Sequence, residues 1–435
     1  MKSDDALLAA WGETLARKRD APAIFNTRGE VLRTFGEIEG RAQALESRIA
    51  DDTRVQPIDL GNHPDWPSLL LAALRRRVVA LPLEGSITPR QREAALAMCQ
   101  APPAASLLKL TSGTTAAPRA IQFRSEQLLA DCIQICDTMG IGADDLSFGV
   151  IPLSHSYGFS NLVTPLLVRG VSMALSRDRM PRAVLDDLAR TGATVFPGMP
   201  VFYQAFCEME NPPALPKLRL CISAGAPLPL EIARTFREKF QRSIHSFYGS
   251  SECGGICYDR EAELLEPGFV GQPMQGVELE LIEPGATASR IRVRSPAAGD
   301  GYFPEPDGEK LGGGIFVPDD LLSASAGGFR IVGRISDVIN VAGKKVNPAE
   351  VEAELLRFAG VRAAVVFGRE AIRRNEEVAA CVVAVEGVRE SELLEFCRSR
   401  LSGWQVPKRI FFVEEIPVNE RGKVSRRELA QRFSS

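Results

Sequence analysis

Short apolar runs alternate with amphipathic stretches through roughly the first 250 residues. AVLDDLART (183–191) reads as a helix, and ATVFPGMP (193–200) as a strand running into a turn. LRLCISAG (218–225) reads as a strand ending in small residues, with LEIARTFREKF (230–240) as the helix after it. Strand, small-residue turn, helix is the rhythm of a layered α/β fold. In such folds ligands gather in the turns at the carboxyl ends of strands. The opening MKSDDALLAAWGETLARKRD reads as an amphipathic helix. From about 268 to 333 the pattern changes: VELELIE (277–283) and RIRVRS (290–295) alternate, with Gly and Pro between them, as in a β-rich subdomain.

After GRISD (333–337) a compact terminal unit begins. NPAEVEAELLRF (347–358) carries a strong helix start: Asn347 can cap, Pro348 suits the first turn, and Glu350 can close a capping box. RAAVVFG (362–368), VAACVVAV (378–385) and KRIFFVEEI (408–416) read as strands, and SELLEFCRSRL (391–401) as a helix. The pattern predicts a large layered α/β domain over 1–334 and a small α/β domain over 335–435.

A chain of 435 residues is too long for one ordinary core. The composition, 45% hydrophobic and 25% charged, is that of a globular protein. A net charge of −3 gives no bulk drive toward nucleic acid or acidic membrane. Arginines interrupt the longest apolar run, SLLLAALRRRVVALPL (68–83), so no membrane span is expected. The acidic start makes a poor signal peptide, and a cytoplasmic protein is expected. Nine cysteines without CxxC spacing read as neutral thiols in a reducing compartment.

Four stretches carry candidate chemistry. TSGTT (111–115) is a run of small residues whose backbone can approach a ligand and whose N–H groups can form an anion nest. Its spacing is not that of a Walker loop. SFYGSSECGG (246–255) sets an aromatic residue beside two hydroxyls and Glu252, a set able to stack a base, bind phosphate and hold Mg²⁺. A polar loop with a surface glutamate has the same sequence. FVPDDLL (316–322) offers Asp320 to both hydroxyls of a ribose, with Arg334 able to support the sugar. In VNERGKVSRREL (418–429), Lys423 follows a glycine on a loop and can set a point charge on a developing oxyanion. A solvated lysine is the plainer reading.

In their order and spacing these stretches resemble the adenylate-forming superfamily, which includes acyl- and aryl-CoA synthetases. Thr111–Ala120 is similar to the family's phosphate loop, Tyr248–Glu252 to its YGxTE motif and Gly422–Lys423 to its late lysine. SAGAP (223–227) looks like its adenine wall, and PLSHSYG (152–158) like its gate to the acyl pocket. The resemblance implies an ATP-dependent acid–thiol ligase. A carboxylate first attacks the α-phosphate, and a thiol then displaces AMP. By the same resemblance Thr111, Ser112, Gly113, Thr114, Thr115 and Arg119 hold the phosphates. Tyr248 stacks on adenine, walled by Gly225, Ala226 and Pro227, with Gly249 and Ser250 beside it. Ser251 touches the α-phosphate, Glu252 holds Mg²⁺, Asp320 and Arg334 bind the ribose, and Lys423 bridges carboxylate and phosphate. The small terminal domain is implied to be mobile, pivoting at Ser336 and bringing Gly343, Lys344 and Lys345 to the phosphates of CoA or of a carrier-protein arm.

His155, Phe159, Phe196, Met199, Gly249 and Cys253 are the expected acyl-pocket residues. They are apolar or neutral, so a fatty or aryl carboxylic acid is expected as substrate. The acceptor is CoA or a phosphopantetheinylated acyl-carrier protein. A non-catalytic member that binds nucleotide and regulates a partner is the reading from another class. The chain departs from the family pattern in two ways. Its amino-terminal portion is short before Thr111, and Ala116, Arg119 and Ala120 replace glycine, lysine and glycine in the phosphate loop. The alanines predict a less mobile loop and slower ATP capture.

Overall fold

The computed structural model describes residues 5–99, 102–111, 119–341, 344–371, 375–417 and 424–433. The chain divides into two compact units. The larger is built from Met1–Glu280, Arg292–Val317 and Ala324–Arg330, the smaller from Leu281–Ile291, Pro318–Ser323 and Ile331–Ser435.

At the centre of the larger unit lie neighbouring parallel strands: Ser172–Leu175, Leu146–Gly149, Val195–Gly198, Leu220–Ser223 and Ile244–Ser250. Val195–Gly198 and Leu220–Ser223 are buried at every position. That is why they read as continuous apolar runs: parallel strands covered on both faces need no polar alternation. Helices Pro181–Thr191 and Leu230–Phe240 follow their strands as the sequence predicts. Phe148, Phe196, Tyr203, Phe206 and Phe236 fill the core between them. The opening helix, Ala6–Lys18, is capped by Asp5 and buries Leu7 and Trp11; the Trp11 indole donates to Glu39 at 2.8 Å.

A second sheet joins Val55–Ile58, Val79–Pro82 and Leu107–Leu110 in parallel. Ala120–Phe123 then pairs antiparallel with Leu107–Leu110 on one side and with Gly301–Phe303 on the other. Residues 111–119 therefore connect two antiparallel strands. A Walker loop instead leads from a strand into a helix, which is the physical reason the spacing here differs. Position 120 also needs correcting, because Ala120 opens the second strand of this hairpin. It is fully buried and pairs with Leu110 and Phe303. Ala120→Gly will therefore not speed ATP capture. It will lower stability by about 1 kcal/mol through added chain freedom, read by urea unfolding, with the KM for ATP unchanged.

Between about 268 and 333 the described residues form strands and no α-helix, in line with the expected β-rich region. In the smaller unit, Asn375–Ala384 is the central strand, paired with Val361–Ala371, Ile339–Val341 and Arg409–Phe412. Helices Pro348–Leu355 and Glu390–Arg398 cover it through Val351, Leu355, Leu393 and Cys397. Asn347 caps as expected, accepting from Ala349 N at 3.1 Å. Glu350 does not close a capping box; its carboxylate takes a hydrogen bond from Gln405. The last strand stops at Phe412, short of the Glu414–Glu415 pair. Arg426, at the start of helix Arg426–Arg432, donates to Val366 O at 2.9 Å, Asp337 at 2.6 Å and Glu352 at 2.7 Å.

All nine cysteines are free. Burial pushes the thiols of Cys99, Cys207, Cys381 and Cys397 up to about 11 and that of Cys221 to about 12. These thiols are neutral at physiological pH. Among the described residues no helix is long and apolar enough to cross a membrane.

Candidate active site

In the larger unit the expected site residues follow the carboxyl ends of adjacent parallel strands. His155 lies beyond Leu146–Gly149, Met199 follows Val195–Gly198, Gly225–Pro227 follows Leu220–Ser223, and Ser251–Cys253 follows Ile244–Ser250. Gly225, Ala226 and Pro227 are exposed, and Gly225 has a φ of +86° that only glycine adopts easily. A Cβ there would sit 3.8 Å from Met199 Sδ, so the two segments lie side by side.

The loop Tyr248–Cys253 is shaped by its own backbone. Tyr248 is buried at its start. A Cβ on Gly249 would come 2.7 Å from Gly254 O, which excludes a side chain. Ser250 Oγ accepts from the N–H groups of Glu252 and Cys253, both at 3.2 Å, and so folds the turn. This turn presents Ser251 and Glu252. Ser251 Oγ accepts from Ser156 Oγ at 2.9 Å, so the gate segment touches the residue expected at the α-phosphate. Glu252 Oε1 accepts from the Tyr302 hydroxyl at 3.2 Å. Burial pushes the Tyr302 phenol well above its ordinary range, so it stays protonated and donates. Tyr302 escapes a reading of the sequence because it reaches the loop only through sheet pairing.

Beneath this loop lies a buried pair that no motif announces. Asp131 Oδ1 accepts from Gly255 N at 3.1 Å, and its Oδ2 accepts from Ser160 Oγ. A Cβ on Gly254 would fall 1.9 Å from Asp131 Oδ1, so glycine is required there. Lys109, only 4% exposed, lies between two rings, its Nζ 4.7 Å from the Phe123 centroid and 4.9 Å from that of Phe159. Burial pushes the Asp131 carboxyl up and the Lys109 ammonium down, and each charge opposes the other's shift. The one available signal was a lysine inside the apolar run LLKL.

Thr111 and Arg119 close the phosphate hairpin, with Thr111 N donating to Arg119 O at 2.9 Å. The Arg119 guanidinium stacks over the Tyr302 ring at 4.1 Å and donates to Glu305 O at 3.3 Å. Its Nε is buried with no acceptor among the described residues, a donor suited to an anion. Ser112, Gly113, Thr114 and Thr115 lie outside the described residues.

At the gate, His155 Nδ1 accepts from Tyr157 N at 3.3 Å. That nitrogen is occupied as an acceptor, which argues against acid–base work for the ring. Phe159, Phe196 and Cys253, expected in the acyl pocket, are fully buried. Met199 and Gly249 keep partial or full exposure.

The smaller unit holds the remaining residues. Asp320 and Arg334 form an ion pair, Arg334 Nε to Asp320 Oδ1 at 2.6 Å. Lys344 lies over the Trp404 ring at 3.6 Å, and Lys345 is exposed. Ser336 falls in a single 3₁₀ turn, Ile335–Asp337. Gly343 and Lys423 lie outside the described residues.

Comparison with known proteins identifies the family. The model of the AMP-binding enzyme family matches residues 100–303, and that of the AMP-binding enzyme C-terminal domain matches 350–423. The chain is 30% identical over 343 residues to a feruloyl-CoA synthase of an Amycolatopsis species, covering 75% of this chain and 70% of that protein. It is 27% identical to a 3,4-dihydroxybenzoate–[aryl-carrier protein] ligase of Bacillus anthracis, covering 74% and 73%. The crystal structure of ATP-bound MatB from Rhodopseudomonas palustris shares the fold with a TM-score of 0.85 at 22% identity, covering 98% of each chain. The chain belongs to the AMP-binding enzymes of the adenylate-forming superfamily.

Proposed function

We propose that this protein activates a fatty or aryl carboxylic acid with ATP and passes the acyl group to the thiol of CoA. The carrying observation is the 2.9 Å hydrogen bond between Ser156 of the gate and Ser251. The proposed gate for the acid would then lie beside the residue proposed to touch the α-phosphate. Adenylation needs this proximity of carboxylate oxygen and phosphorus.

Thr111–Thr115 and Arg119 would hold the β- and γ-phosphates. Tyr248 would stack on adenine against Gly225, Ala226 and Pro227. Asp320, oriented by Arg334, would accept the ribose hydroxyls. Lys423 would neutralise charge on the attacked phosphate, and Lys344 and Lys345 would meet the phosphates of the acceptor. The terminal domain, 335–435, would turn about Ser336 between the two half-reactions. The partly or fully exposed residues proposed for the acyl pocket, Met199, Gly249 and His155, carry no ammonium or carboxylate of their own. This supports an acid whose body is apolar or aromatic, as the name of the Amycolatopsis relative suggests for that enzyme.

Among the described residues no cluster of three or more His, Cys, Asp or Glu could hold a metal by itself. Glu252 supplies a hard carboxylate, the donor type Mg²⁺ takes alongside nucleotide phosphates and water. Glu252 would therefore hold Mg²⁺, which would neutralise phosphate charge.

Pyrophosphate exchange and product masses from ATP, CoA and a panel of fatty and aryl acids test this reading. Exchange with at least one such acid and the mass of its CoA thioester are expected. No exchange with any acid would sink it. Exchange without a CoA product, restored by a carrier protein, would move the acceptor to the phosphopantetheine arm.

A further inference from the structure

Tyr302 touches two groups that the proposed function assigns to ATP. Its hydroxyl donates to Glu252 Oε1 at 3.2 Å. Its ring carries the guanidinium of Arg119 at 4.1 Å. The strand Gly301–Phe303 is fixed by pairing Tyr302 with Ile121, and Gln122 Nε2 donates to Tyr302 O at 3.2 Å. The tyrosine is thus held in place by the second strand of the phosphate hairpin.

We propose that Tyr302 is a positioning residue for the metal–nucleotide complex, aligning Glu252 through its hydroxyl and Arg119 through its ring. This inference rests on the ATP-binding reading of those two residues. The two contacts divide the work. A phenol O–H on one carboxylate oxygen fixes the rotamer of Glu252 and so the direction of its other oxygen. A flat ring beneath a guanidinium fixes its plane, leaving the edge to meet phosphate oxygens. A lysine at position 119 would stack less well, so the arginine and the tyrosine belong together. One rigid side chain then sets the spacing between the cation-binding carboxylate and the phosphate-facing cation.

The two functions can be separated by substitution. Tyr302→Phe keeps the ring and removes the hydroxyl; Tyr302→Leu removes both. Binding is read without turnover, by calorimetry for metal-free ATP and by Mn²⁺ electron paramagnetic resonance for the ATP-loaded full-length protein. A hydrogen bond to a charged group is worth about a factor of ten in affinity. Tyr302→Phe should weaken Mn²⁺ binding about tenfold and leave metal-free ATP binding within about twofold. Tyr302→Leu should weaken both. In pyrophosphate exchange, Tyr302→Phe should raise the Mg²⁺ requirement at little cost to saturated kcat. Unchanged Mn²⁺ affinity in Tyr302→Phe overturns the proposal. So does an equal loss of metal-free ATP binding in both variants accompanied by lowered urea midpoints, which marks a purely structural tyrosine. If the unaltered protein binds no ATP, the nucleotide reading itself fails and this proposal fails with it.

Discussion

Lys423→Ala will cut adenylation by about 10²–10³-fold, the usual effect of removing one positioned charge from a developing anion. Thioester formation from preformed acyl-adenylate will stay within about threefold of the unaltered enzyme, because the second half-reaction forms no new charge at that lysine. The test pairs pyrophosphate exchange with thioester formation from a synthetic acyl-adenylate. Loss of both half-reactions to the same degree would remove Lys423 from its proposed role. Global unfolding is not expected to confuse the result. Helix Arg426–Arg432, which follows the lysine, is held by the Ser425 cap and by three hydrogen bonds of Arg426.

The largest stability effect is expected at Lys109. Lys109→Met leaves the Asp131 charge buried and uncompensated, which costs about 3–5 kcal/mol at neutral pH. The double variant Lys109→Met/Asp131→Asn should recover most of that loss, since neither charge remains. The pH dependence has a definite sign. Asp131 already has a folded pKa raised by burial, and removing Lys109 raises it further. A carboxyl raised in the folded state stabilises below its unfolded value and loses that contribution as pH rises through the folded value. The deficit of Lys109→Met should therefore be small near pH ~4 and grow toward pH ~8. Urea unfolding at both pH values measures it. A deficit independent of pH, or no recovery in the double variant, would show that the two residues do not compensate each other. The same variant should also disturb the turn around Gly254 and Gly255, since Asp131 holds that backbone directly.

The contrast between these two residues shows what the sequence made legible. Lys423 is known only by its likeness to a family motif and lies outside the described residues, whereas the parallel strands VFPG and LCIS announce themselves as unbroken apolar runs. The alternation of strand, loop and helix along the chain was likewise readable, because each loop follows its own strand. What escaped is what depends on pairing between distant segments. Tyr302 meets Glu252 and Arg119 only because Gly301–Phe303 joins the hairpin around 111–119, with Tyr302 180 residues beyond Gln122. Ala120 looked like loop because a motif frame extends over it, whereas antiparallel pairing with two partners makes it strand. Lys109 carried no more signal than its place inside the apolar run LLKL. Only the packing of Phe123 and Phe159 around it shows a charge taken out of water.

The grip of Arg426 has a mechanical corollary. Arg426 lies three residues beyond Lys423, and its partner Asp337 lies one residue beyond the proposed pivot at Ser336. One guanidinium thus ties the start of the last helix to the 3₁₀ turn beside the proposed pivot, with Glu352 and Val366 closing the frame. Three acceptors on one side chain leave that junction little slack. In the proposed rotation, helix Arg426–Arg432 would therefore travel with the turn Ile335–Asp337 as one piece.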